Sequence, residues 1–324
     1  MRQISSETPE ERRKNPGSHP HRTGLWGHIG PGSRLFEVGR RTAIGVYNDG
    51  FIHAGNLAYL TLLALFPFFI ILAAAAQFFG GEAGTLTAIH SVATALPPAV
   101  AALVEETAGQ VVTVRTGPLL WLGAAIGVWT VGSFIETIRE ILRRAHGTDY
   151  ARPFWQYRLI GVAIIFVAVT VLMLAFSVQI LLTTAEEVLA RFVPAAGPLA
   201  ERLGQTRFIP VIATFLANYL LFWTLSPTRY RGWSFPKWPG ALFTTLWWYI
   251  ALTQLPRVLA RFGGYTLTYG GLAGVMVALL FFWLVGYGLV IGAHLNAALA
   301  NPGQSGVRDH KILDELTEAK WLDT

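Results

Sequence analysis

Apolar positions along this chain neither alternate with polar ones nor thin out into one-sided stripes. They run on for about twenty residues at a time, the length a helix needs to cross a bilayer. Six such runs lie near 57–79, 118–138, 159–182, 208–225, 240–259 and 272–295. A membrane β-barrel would need short segments of alternating polarity, and these runs do not alternate. The pattern therefore predicts an all-α, polytopic membrane helix bundle with six transmembrane helices.

Two connecting stretches predict further helices in the loops. In "LTAIHSVATALPPAVAALVEETAGQVV" (86–112), Pro97 and Pro98 divide two halves, each too short to cross. They read as helices lying at the surface or dipping in. "AEEVLARFVPAAGPLAERLG" (185–204) reads the same way. In "SRLFEVGRRTAIGVYNDGF" (33–51), Leu35, Phe36, Ala43, Ile44 and Tyr47 share a broad face, with Arg34, Arg40 and Arg41 off it. That arrangement suits a basic helix lying on an anionic leaflet. Residues 1–33, rich in Pro, Gly and charge, are expected to form a flexible tail, and 301–324 a second tail flanking a membrane domain over 34–300.

Composition sharpens the class. Of 324 residues, 53% are hydrophobic and only 14% charged, against about 25% in soluble domains. The chain has no cysteine, which excludes disulfides, thiolate metal sites and a thiol nucleophile. The net charge of +6 is best explained by basic inner loops, and no nucleic-acid partner is expected. Of the 25 Lys and Arg, 19 fall in the N-terminal segment, the second-to-third and fourth-to-fifth connections and the C-terminal segment. The positive-inside rule then places both termini in the cytoplasm.

Several short motifs appear in order. They are "AGNLAYLTLLALFPFFIIL" (54–72), "SFIETIREILRRAHG" (133–147), "RPFWQYRL" (152–159), "SPTRYRGWSFPKWPGALFTTLWW" (226–248) and "YGGLAGVMVALLFFWLVGYGLVIGAHLNAAL" (269–299). Together they resemble the YihY/BrkB family, once labelled ribonuclease BN. The resemblance implies a six-helix bacterial inner-membrane protein with both termini inside, tied to envelope integrity. It implies membrane lipids and envelope-assembly proteins as partners, and no agreed chemistry. His294 stands where the family usually carries a carboxylate.

Polar residues within or beside the apolar runs are the candidates for a site. Asn56 and Tyr59, three apart, share a face of the first helix. Glu136 and Arg139 close the second, Arg229 follows the fourth, and His294 and Asn296 end the sixth. All fall toward the inner side. Ionisable groups at membrane depth are costly and usually face the bundle or a wet cavity. Glu136 and Arg139 can pair at i,i+3, whereas Glu140, Arg143 and Arg144 read as a solvated pair and inner anchors. For Asn56 and Tyr59 the plainer role is hydrogen bonding between helices, and for His294 a place at a helix end. Pro67 should kink the first helix by freeing the Leu63 carbonyl. The pairs Gly123/Gly127, Gly270/Gly274 and Gly288/Gly292 permit close helix contact.

The expected function is transport or flipping of a lipid or other amphiphilic envelope component, without enzymatic activity, cofactor or metal. A non-transporting envelope scaffold is the alternative. A ribonuclease is disfavoured, because His53, His90, His146 and His294 are scattered and form no metal-ligand motif. No nucleotide-binding loop is present.

Overall fold

The computed structural model describes residues 8–14, 34–79, 93, 96–113, 118–149, 155–156, 158–163, 208–261 and 272–300. Every regular element among them is helical. The helices are α1 (Pro9–Lys14), α2 (Arg34–Gly45), α3 (Phe51–Phe79), α4 (Pro98–Thr113), α5 (Pro118–His146), α6 (Phe208–Leu225), α7 (Trp238–Arg261) and α8 (Ala273–Leu299). A π-helical stretch, Val46–Gly50, joins α2 to α3, and a short 3-10 turn, Thr228–Tyr230, precedes α7.

Five of the six apolar runs fall on α3, α5, α6, α7 and α8. Of the run at 159–182 only 159–163 is described, and it is helical; the rest, like the loop at 185–204, lies outside the described residues. Among the described residues one helix, α8, is long and apolar enough to cross a membrane, with a mean hydropathy of 2.4 over its most apolar window. The described architecture is thus all-helical.

α8 is the central post. It packs against α2, α3, α4, α5 and α7, while α3 also packs on α5 and α6 on α7. One buried cluster joins Val100 and Val104 of α4 to Val277, Ala278 and Phe281 of α8. A second joins Ile138, Ile141 and Leu142 of α5 to Phe222 of α6 and to Leu289, Val290 and Ala293 of α8. Of the two placements expected for this stretch, at the surface or dipping in, α4 fits the second. Val100 and Val104 stand one turn apart and are 0% and 2% exposed, so this face is core. Glu105 and Glu106 remain outside.

Small residues set how closely the helices approach. A Cβ on Gly240 would lie 2.3 Å from the Gly292 carbonyl oxygen, so α7 and α8 touch backbone to backbone. A Cβ on Gly127 would meet the Pro67 ring at 2.6 Å, so the proline of α3 seats in a notch on α5. α3 itself continues through Pro67 to Phe79.

Within the first tail only residues 8–14 are described. Pro9–Lys14 is a docked helix, and Pro9 is among the most deeply buried residues. Thr8 and Glu11 form a reciprocal cap, with Thr8 N–H donating to Glu11 Oε2 at 2.6 Å and Glu11 N–H to Thr8 Oγ1 at 3.3 Å. This capping box satisfies two otherwise orphaned amides of a one-turn helix.

Candidate functional site

The end of α5 prepares one wall of the site. Gly147, at φ +68°, takes a left-handed conformation that suits glycine. Its N–H donates to the Arg144 carbonyl at 2.9 Å, and Thr148 N–H to Arg143 at 3.1 Å, closing a Schellman motif. A Cβ on Gly147 would lie 2.3 Å from Thr8 Oγ1, so the start of α1 rests on this glycine. Glu10 holds the other side of α1. Its carboxylate accepts from Tyr230 Oη at 3.0 Å and from Arg229 at 3.4 Å. The Tyr230 ring in turn packs on His146, 4.9 Å between centroids.

A second wall is built where α2 runs into α3. The backbone is helical on both sides of Val46–Gly50, so the chain widens to a π-helix without breaking. Asn, Asp and Gly within "VYNDG" are weak helix formers, and single π turns inside helices recur at functional positions. This stretch places Asn48, itself exposed, and the half-buried Asp49 on the cavity at the charged end.

Between these walls and the last turns of α8 lies a cavity with about 80 Å³ open to water. Arg41 and Gly45 of α2, Asn48 and Asp49, Arg144 of α5 and His294 of α8 line it. Thr8 and Pro9 form its lip. His294 is 8% exposed. It lies against Gly45, where a Cβ would come within 2.3 Å of Nδ1. Among the described residues it has no hydrogen-bond partner, and Asp49 forms no ion pair.

The two guanidiniums are fixed from behind. Arg41 Nε donates to Glu37 Oε1 at 2.8 Å, and Arg144 Nε to Glu140 Oε1 at 2.7 Å. Each carboxylate is one helical turn back. Glu37 also accepts two bonds from Arg40. That hydrogen bonding, against an opposing contribution from burial, holds its carboxyl below the ordinary 4.5. Beside the cavity, burial holds His53 below its usual 6.5; Asp49 acts against this and Arg144 adds to it.

Of the residues singled out from sequence, His294 alone lines this cavity. Asn296, two residues on, is spent on packing. Its Oδ1 accepts from Gly240 N–H at 2.8 Å and its Nδ2 donates to the Lys237 carbonyl at 3.1 Å. It thereby caps the first turn of α7 from a neighbouring helix. Lys237 is buried and donates to the Arg231 and Gly232 carbonyls. Burial, followed by the Arg231 charge, holds its amine below 10.5. Glu136 and Arg139 do form the expected pair, at 2.6 Å. Arg229 pairs with Glu10 at the surface. Asn56 and Tyr59 lie on an exposed stripe of α3 with Ile52 and Leu63. Arg41, Asn48, Asp49 and Arg144 were not singled out from sequence as site residues. The one sequence signal for this wall was the polar "NDG" in a helical run; the arginines looked like ordinary anchors.

The family model described as virulence factor BrkB matches residues 47–312. The ribonuclease-like protein YfkH of Bacillus subtilis (strain 168) is 24% identical over 252 residues, which cover 78% of this chain and 90% of that relative. No solved structure matches. The matched region takes in Asn48, Asp49, Arg144 and His294, whereas α1 and α2 lie before it. The chain belongs to the virulence factor BrkB family of membrane proteins.

Proposed function

We propose that this chain is a six-span inner-membrane protein, both termini cytoplasmic, that translocates a lipid or similar amphiphile of the cell envelope. One observation carries this reading: a polar cavity at the charged end of a bundle whose outer faces are apolar. Ile126, Ile212, Leu216, Leu220, Leu246 and Ile250 all stand exposed on α5, α6 and α7. Such faces are at ease against acyl chains and costly against water. A head group can enter the cavity while its chains stay along these faces. Leu35, Phe36 and Tyr47 are also exposed at 66%, 47% and 88%, which suits α2 lying on the inner leaflet.

The test is translocation by purified protein in liposomes carrying an acyl-labelled fluorescent phospholipid. Quenching of the outer leaflet should be followed by loss of the protected inner-leaflet signal, faster than in empty vesicles. A rate equal to that of empty vesicles for every lipid tried would sink the proposal and favour a scaffold. The name of the Bacillus relative offers a different reading, RNA hydrolysis. Cleavage of RNA by the same preparation with divalent cations, abolished by a point substitution in this chain, would establish that instead.

A further inference from the structure

We propose that the cavity at the charged end binds a phosphate-and-ammonium zwitterion, the chemistry of an ethanolamine phosphate head group; this rests on the translocator reading for its source, though not for its chemistry. The argument begins with the signs of the walls. Arg41 and Arg144 bring guanidiniums from two different helices, and Asp49 brings a carboxylate from the π stretch between α2 and α3. A simple anion would gain the guanidiniums and meet Asp49 as a like charge. A simple cation would meet the reverse. A zwitterion answers both, with phosphate oxygens toward the arginines and ammonium toward the carboxylate.

Two further observations point to a ligand rather than to a settled internal network. His294 is more than nine-tenths buried, lines the cavity and has no hydrogen-bond partner among the described residues. Its ring nitrogens are not shut off from the cavity, so they are available to a ligand or to water there. Asp49 sits on the same cavity without an ion-pair partner among the described residues. The arginines, by contrast, are held through Nε by Glu37 and Glu140 before any ligand arrives. Preorganised cations and a carboxylate thus line one cavity, and the Asn48 amide adds a neutral donor and acceptor to the same lining.

The shared chemistry has two sources, a lipid head group or a soluble phosphoethanolamine, and both are probed. Full-length protein in neutral detergent is titrated with short-chain phosphatidylethanolamine, short-chain phosphatidylglycerol and phosphoethanolamine, with binding read calorimetrically. Wild type should prefer the ethanolamine lipid over the glycerol lipid by about tenfold. Asp49→Asn should erase that preference, chiefly by weakening the ethanolamine lipid. Arg41→Gln should weaken both lipids. Binding of phosphoethanolamine as tightly as the lipid would keep the site and assign it a soluble ligand. Equal binding of the two lipids by wild type, or a preference that survives Asp49→Asn, would overturn the inference. Acyl-labelled forms of both lipids are then followed in liposomes. Selective binding without movement of either lipid keeps the site and removes the translocator. Movement of both lipids at one rate, with no selectivity in binding, does the opposite.

Discussion

Toward α7, helix α8 is packed until backbone meets backbone; toward α2 and the π stretch, its last turns leave a water-accessible cavity. On the first side polar groups are paired across the seam. Trp247 and Trp248 donate to the Leu284 and Val285 carbonyls at 2.8 and 2.9 Å, Thr244 donates to Gly288 at 3.2 Å, and Asn296 closes the end. On the second side His294 and Asp49 are left without such partners among the described residues. A single residue separates His294 from Asn296, yet one side chain faces the cavity and the other a helix terminus. Without a hydrophobic driving force between helices in lipid, close packing and interhelical hydrogen bonds carry association. The seam spends its polar groups on holding the fold; the cavity holds its own in reserve.

The largest expected effect tests the seam. Gly240→Leu should cost about 3 kcal/mol or more, because the new side chain meets a backbone carbonyl rather than a movable tip. Thermal melting in detergent should show loss of the folded species. Gly274→Ala is the matched control, since nothing lies within 4 Å of a Cβ there. If both variants melt alike, the close approach of α7 and α8 is not what holds the bundle.

Asn296→Ala comes next. It leaves the Gly240 N–H and the Lys237 carbonyl without a side-chain partner, at about 1–3 kcal/mol. A melting temperature unchanged from wild type would erase the distinction drawn between Asn296 and His294. Glu10→Ala should cost less, about 1 kcal/mol or below, as partly exposed ion pairs do. Its signature is local: amide exchange over residues 8–14 should speed up while the α7–α8 seam stays protected. Unchanged exchange would mean that α1 is held by Pro9 and Thr8 alone.

A smaller effect depends on pH. The folded structure lowers the Glu37 carboxyl below 4.5. Its contribution is therefore fully present above that value and is lost as pH falls through the lowered one. Melting of wild type should fall relative to Glu37→Gln between about pH 5 and pH 3, and the difference should be constant above. A constant difference across the whole range would show that Glu37 is not coupled to folding. Smallest of all is Asp49→Asn, expected within about 0.5 kcal/mol of wild type, because that carboxylate holds nothing in the fold. A loss matching that of Asn296→Ala would place Asp49 among the structural groups.

The apolar run lengths, the Pro-divided loop and the Glu136–Arg139 spacing were all legible in the chain, because helix period and local pairing are properties of near neighbours. So was the family resemblance, carried by an ordered set of motifs. Residue spacing also marked Gly288 and Gly292 as contact positions, although the partner that makes each one necessary, Trp247 for the first and Thr244 and Gly240 for the second, comes from another helix. What no local pattern carries is which polar residue meets which. Asn296 looked like a pocket candidate until Gly240, 56 residues away, proved to donate to it. Arg41 and Arg144 looked like anchors until two helices brought them to one cavity. Nothing local to Thr8 foretells that it rests on Gly147 at the end of α5. Each helix forms from its own residues and so could be read from the chain; which ends are sealed and which stay open depends on contacts between residues far apart in it.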